Sequence, residues 1–237
     1  MKKLLAFLVA ALLFEFGGQA VRQVTGFELF PALESVAFAA EERKRRKARR
    51  VPNISEMTFR RLAQAQELMD LKEYDAALEV LIEMEKRSRR YNGNEMGQVY
   101  SMFAFIMFSK EDNLRTIRYY EKVLEQGDDI TEGLEHGTMY SLAQLYFVEE
   151  KYQRSLDMMD LWLRKKEDFG DDPGPNPRYF MGQVYYAMKD YPGATEQIEI
   201  AIAMAEARDM VPIKENWWQL LRFLYFEQDN WDRVLDI

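Results

Sequence analysis

The sequence contains no cysteine and one histidine, His136. The missing cysteine excludes disulfides, thiolate metal sites, a cysteine nucleophile and a lipid-modified N-terminal cysteine. The near-absence of histidine excludes a histidine-rich metal site and leaves His136 as the only base for a serine–histidine pair. Glycine and proline are sparse, 12 and 7 in 237 residues, and they fall mostly between segments of helical apolar periodicity. No Gly-rich phosphate loop or nucleophile motif is present. The acidic pairs Asp128-Asp129 and Asp171-Asp172 lack the alternating oxygen-ligand spacing of a calcium loop. Glu135-His136-Gly137 reads as a loop, with His136 in a structural or surface role.

What is present is a hydrophobic fraction of 48%, a charged fraction of 30%, and 13 Tyr, 15 Phe, 4 Trp and 14 Met. That balance fits a chain with a packed core and argues against disorder. Lys2 and Lys3 precede the apolar run Leu4 to Phe14. A bilayer crossing takes about 20 apolar residues, so this run is too short to span and suits a signal-peptide core. Ala37-Phe38-Ala39 supplies a cleavage site, and Gly18-Gln19-Ala20 an earlier alternative. An uncleaved interfacial anchor is the other reading. We take residues 1–39 as a signal peptide and expect a periplasmic mature protein. Residues 40–55 read as a basic arm or linker, containing Arg43, Lys44, Arg45, Arg46 and Lys47.

Residues 41–50 carry seven positive and two negative charges, while the whole chain carries −8. Residues 1–40 balance, so residues 51–237 carry −13. The basic arm is a solvated leader, or a contact for anionic lipid heads or an acidic partner. So acidic a body argues against nucleic acid.

A phrase recurs along residues 56–237. Lys72-Glu73-Tyr74-Asp75-Ala76-Ala77-Leu78 returns in Glu111 to Ile117, Glu150 to Leu156, Lys189 to Thr195 and Asp229 to Leu235. The anchors Tyr74, Asn113, Tyr152, Tyr191 and Trp231 are spaced 39, 39, 39 and 40. Small residues follow each anchor: Ala77, Thr116, Ser155 and Ala194, with Val234 in the fifth copy. Before the turns stand Phe103-Ala104, Leu142-Ala143 and Met181-Gly182, then Met107, Tyr146, Tyr185 and Tyr225. The bulky position holds Leu81, Tyr120, Met159 and Ile198.

This pattern resembles the tetratricopeptide (TPR) repeat. The resemblance implies an all-α, right-handed superhelical solenoid of antiparallel helix pairs, here about 4.5 repeats of about 39 residues over 56–237. The family period is about 34, and we expect the surplus in loops such as Asn92-Gly93-Asn94, Gly127-Asp128-Asp129 and Gly170 to Pro175. The fifth repeat is unfinished in this sequence, which is expected to leave Trp217, Leu221, Leu224 and Tyr225 half covered.

The resemblance also assigns a concave groove to the first helix of each pair. It places Ser101, Phe105 and Phe108 there in repeat two, and Tyr140, Gln144 and Phe147 in repeat three. Repeat four offers Tyr179, Gln183 and Tyr186, and repeat five Gln219, Phe223 and Phe226. No cation stands at these positions, so a clamp for a C-terminal carboxylate is not expected. Aromatics with interspersed glutamine amides suit an extended, proline-containing or apolar segment. Tyr140 and Tyr179 are expected to be truncatable to alanine without unfolding.

The leader, the phrase Leu142-Ala143-Gln144-Leu145-Tyr146-Phe147-Val148 and the phrase Lys214 to Arg222 are similar to the periplasmic TPR proteins associated with TonB–ExbB–ExbD systems of Gram-negative bacteria. That resemblance implies a non-enzymatic scaffold without cofactors, assisting TonB-dependent uptake, with TonB, ExbB or ExbD as partners. A scaffold for pilus, secretion or cell-wall assembly is the alternative. So is the N-terminal receptor part of a longer protein.

Overall fold

The computed structural model describes residues 49–208 and 213–237. Residues 1–39, read above as a signal peptide, and the cations Arg43 to Lys47 lie outside the described residues. Among the described residues, ten α-helices follow one another and there are no strands. They are α1 (Glu56–Asp70), α2 (Tyr74–Glu85), α3 (Gly93–Ser109), α4 (Asn113–Leu124), α5 (Glu132–Val148), α6 (Tyr152–Asp168), α7 (Asn176–Ala187), α8 (Tyr191–Glu206), α9 (Glu215–Glu227) and α10 (Trp231–Leu235). Each helix packs chiefly on its neighbours in sequence, and α1 also reaches α3. This nearest-neighbour order is the solenoid that the sequence led us to expect.

The constant period has a simple origin. Three residues join the helices within a pair, and seven residues (86–92, 125–131, 169–175) join one pair to the next. The longer connection 207–214 accounts for the single spacing of 40. Helix lengths trade against each other: α3 and α5 have 17 residues beside 12 in α4, and α7 has 12 beside 17 in α6. The between-pair connections therefore hold loop chemistry in every repeat. Asn92-Gly93-Asn94 is only partly loop, because Gly93 and Asn94 open α3.

Each within-pair turn places one residue in the left-handed region: Lys72, Glu111, Glu150, Lys189 and Asp229, with φ between 54° and 63°. At Glu150, the N–H bonds to the Phe147 carbonyl at 3.0 Å and the next N–H, of Lys151, to the Tyr146 carbonyl at 2.7 Å. This double closure is a Schellman cap, and it recurs at all five turns. Glycine is the usual residue there. A side chain in this region costs on the order of 1 kcal/mol.

The small residues let the paired helices approach. Ala77, Thr116, Ser155 and Ala194 are all fully buried, as are Ala65, Ala104 and Ala143 across from them. The Ser155 hydroxyl donates to the Ala143 carbonyl at 2.7 Å. At Gly182, a Cβ would lie 2.5 Å from the Ile198 side chain and 3.3 Å from the Ala194 carbonyl oxygen, so α8 packs directly on the α7 backbone there.

Polar links join consecutive pairs. The Tyr146 hydroxyl donates to Glu121 at 2.7 Å, and Arg154 donates to the same carboxylate oxygen at 3.0 Å while covering the Tyr146 ring. Tyr225, Glu199 and Arg233 repeat the arrangement two units later. Burial, then the bond to Glu199, pushes the Tyr225 hydroxyl pKa up to about 12.

The end of the basic arm is not a free linker. Asn92 Nδ2 donates to the Asn53 carbonyl and Asn94 Nδ2 to the Pro52 carbonyl, both at 2.9 Å. The Ser55 N–H donates to Glu95 Oε1 at 2.8 Å. Arg49 pairs with Glu135, in the first turn of α5, at 2.9 Å and with Asp128, in the connection before α5, at 3.2 Å. Residues 49–55 therefore strap the first three pairs along their N-terminal edge.

The fifth pair also departs from expectation. Trp217, Leu221, Leu224 and Tyr225 are buried, packed on α8 with Val234 and Ile237 against them. The exposed apolar residues of this pair are Phe223, Phe226, Trp231 and Leu235.

Candidate functional site

The twelve groove positions all lie on first helices, α3, α5, α7 and α9. Their exposure divides them. Phe108, Gln219, Phe223 and Phe226 are exposed, with Phe226 at 52%. Phe105, Gln144, Gln183 and Tyr186 are half-buried and offer edges. Ser101 and Phe147 are buried, 2% and 7% exposed, so they pack between helices and do not line a groove. Phe147 meets Phe180 at 5.7 Å and Tyr152 at 5.8 Å.

Tyr140 and Tyr179 are joints between pairs. Tyr140 packs edge-on against Trp162 at 5.3 Å and reaches Phe180 at 6.5 Å. Tyr179 stacks on Trp217 at 4.6 Å with the rings 10° apart. Burial pushes the Tyr179 hydroxyl pKa up to about 12. The period places these rings at equivalent positions, but whether a neighbouring aromatic covers each one depends on the next pair. That signal is not local.

The face has little charge. Residues 96–109 of α3, 137–148 of α5 and 179–188 at α7 include no Asp, Glu, Lys or Arg. Charge gathers on second helices instead. Asp160, Arg164 and Glu167 of α6 border a shallow polar cleft with Arg178. No group of acidic or histidine side chains suited to a metal ion is found among the described residues. No described helix is long and apolar enough to cross a membrane.

His136 lies in the first turns of α5 and not in a loop. It is buried, its ring meets Phe169 edge-on at 5.1 Å, and its Nε2 has no hydrogen-bond partner. Burial first, then nearby Lys166, lowers its pKa below the ordinary value of 6.5. The unfolded chain therefore takes up the proton at higher pH than the folded one. Stability from this group is complete above about pH 6.5 and falls as pH drops toward the depressed folded value. We expect the urea midpoint to fall between pH 7.5 and pH 5.5, and part of that fall to vanish in His136→Asn. An unchanged pH dependence in the variant would place the effect on the carboxylates instead.

No family model matches the chain, and no curated protein matches it in sequence. Solved structures do. MamA from Desulfovibrio magneticus RS-1 is 14% identical over 78% of this chain and 92% of its own, with a TM-score of 0.57. A Podospora anserina kinesin light chain with nearly identical TPR-like repeats is 11% identical over 78% of this chain and 93% of its own, also at 0.57. The apo form of RapI is 13% identical over 76% of this chain and 66% of its own, at 0.58. With its five recurring turns and helix pairs packed in sequence order, the chain has the all-α superhelical solenoid fold of TPR-like repeat proteins.

Proposed function

We propose that this chain is a non-enzymatic periplasmic scaffold that holds an extended partner segment on its first-helix face, in support of TonB-dependent energy transduction. One observation carries the reading: three successive first helices present an uncharged face of aromatics and glutamines, within a body of net charge −13. A face without cations offers nothing to a carboxylate terminus. Gln144, Gln183 and Gln219 offer amides that both donate to and accept from an extended backbone. Phe105, Phe108, Tyr186, Phe223 and Phe226 offer apolar area at little entropic cost. An extended proline-rich segment, such as TonB proteins carry between membrane and receptor, meets those requirements with its order already built in. ExbB and ExbD are the other candidate partners of the same system. The leader sequence supports export.

The test is site-specific crosslinking in the cell envelope. A photo-reactive residue at Gln183 or Phe223 is expected to capture a TonB-system component, and the same residue at Glu79 on α2 is not. Capture of other envelope proteins alone would defeat the TonB assignment. Equal capture from Glu79 would defeat the first-helix face.

A further inference from the structure

The five within-pair turns form one edge of the solenoid, and that edge has an unusual composition. Each turn carries a charged side chain in the left-handed region, where glycine is the common choice. All five, Lys72, Glu111, Glu150, Lys189 and Asp229, are exposed, and none forms an ion pair within the described residues. Nearby charges behave differently: Lys110 pairs with Asp75 across two turns, and Arg115 pairs with Asp112. The same edge gathers exposed apolar side chains, namely Leu71, Phe108, Leu114, Val148, Met188 and Trp231. Helix ends facing only water have no use for such a row.

At the five left-handed positions the charges run positive, negative, negative, positive, negative, with the acids Glu73 beside Lys72 and Asp190 beside Lys189. Turned about a two-fold axis through the third turn, this order meets its own complement. Glu111 of one copy faces Lys189 of the other, and Lys72 faces Asp229, each pair occurring twice. Glu150 sits on the axis near its own mate, with Lys151 beside each to offset the repulsion. The apolar residues follow the same symmetry: Val148 meets Val148, and Phe108 and Leu114 meet Met188. A two-fold interface uses the same patch on both subunits, so self-complementarity is what it requires.

We propose that the turn edge is an interface for a second copy of this chain, centred on the turn at Glu150. It adjoins the C-terminal ends of the first-helix face assigned above and shares Phe108, Val148 and Met188 with it, while its charged contacts do not depend on that assignment. The full chain, followed by sedimentation velocity up to about 100 μM, is expected to show a concentration-dependent dimer. Lys189→Glu alone places like charges together at two symmetric contacts and is expected to weaken the dimer by about tenfold or more. Glu111→Lys alone should do the same. The double variant Glu111→Lys/Lys189→Glu restores opposite charges and should recover the dimer. Both positions are exposed, so circular dichroism melts should match the parent. A chain that stays monomeric throughout overturns the proposal. So does a dimer indifferent to both single substitutions, or one that the double variant fails to restore.

Discussion

Ala143→Leu is expected to lower the unfolding free energy by about 3 kcal/mol, the upper part of the range for overpacked core sites. Ala143 is fully buried where α5 crosses α6, and Ser155 opposite it is fully buried too. Three added carbon atoms have no space there. The larger side chain also drives Ser155 away from the Ala143 carbonyl, ending a buried hydrogen bond of 2.7 Å and leaving the Ser155 hydroxyl unpaired. Calorimetry should show the melting temperature falling by roughly 6–12 °C, taking about 2–4 °C per kcal/mol for a chain of this size. Gln144→Leu, one residue along and half-buried, is the control and should move it little. Similar small shifts in both would mean that the crossing is not tight.

Tyr179→Ala should be the next most damaging change, at about 2–3 kcal/mol, at or below the lower values for truncating a buried aromatic because the ring is half-buried. The ring stacks on Trp217, itself 3% exposed, and so joins the fourth pair to the fifth. Its loss removes apolar area and the stacking contact together. Hydrogen exchange should accelerate in α7 to α9 and stay near the parent rate in α1 to α4, because neighbour-only contacts confine the damage. Near-ultraviolet circular dichroism should register the altered surroundings of Trp217. Phe223→Ala, at a 40% exposed site, should cost under about 1 kcal/mol. If Tyr179→Ala left stability untouched, the tyrosine would be a surface residue after all, as the repeat pattern alone suggested.

These two residues mark how far sequence reasoning reaches. Ala143 was legible. A small residue recurring with the turn anchors has one physical use in paired helices, which is to let two backbones approach. The turns were legible for a similar reason. Each anchor follows a residue in the left-handed region, and the cap that closes there is a local hydrogen-bond pattern set by a few adjacent residues. Tyr179 was not legible as a joint. The resemblance placed it on a groove, and it does lie on a first helix, but its cover is Trp217, supplied from the next pair. Ser101 and Phe147 were misread in the same way: their positions in the repeat were right, and their exposure was not.

The same division holds for the polar contacts. Nothing in the spacing of Arg49 announced that it would reach Glu135 and Asp128, more than 75 residues away. Tyr146, Glu121 and Arg154 meet because three helices converge, and no one of those helices carries the signal. The sequence by itself determined the helix pairs, their order, their period and the small residues at each crossing. All of these follow from local backbone chemistry and from an apolar pattern repeated within tens of residues. The tertiary structure alone decided which aromatics remain open to a partner, where the arm is strapped down, and which turn charges are left unpaired along one edge. Those outcomes depend on what the neighbouring pair places against each side chain, and burial is a property of the stack, not of the residue.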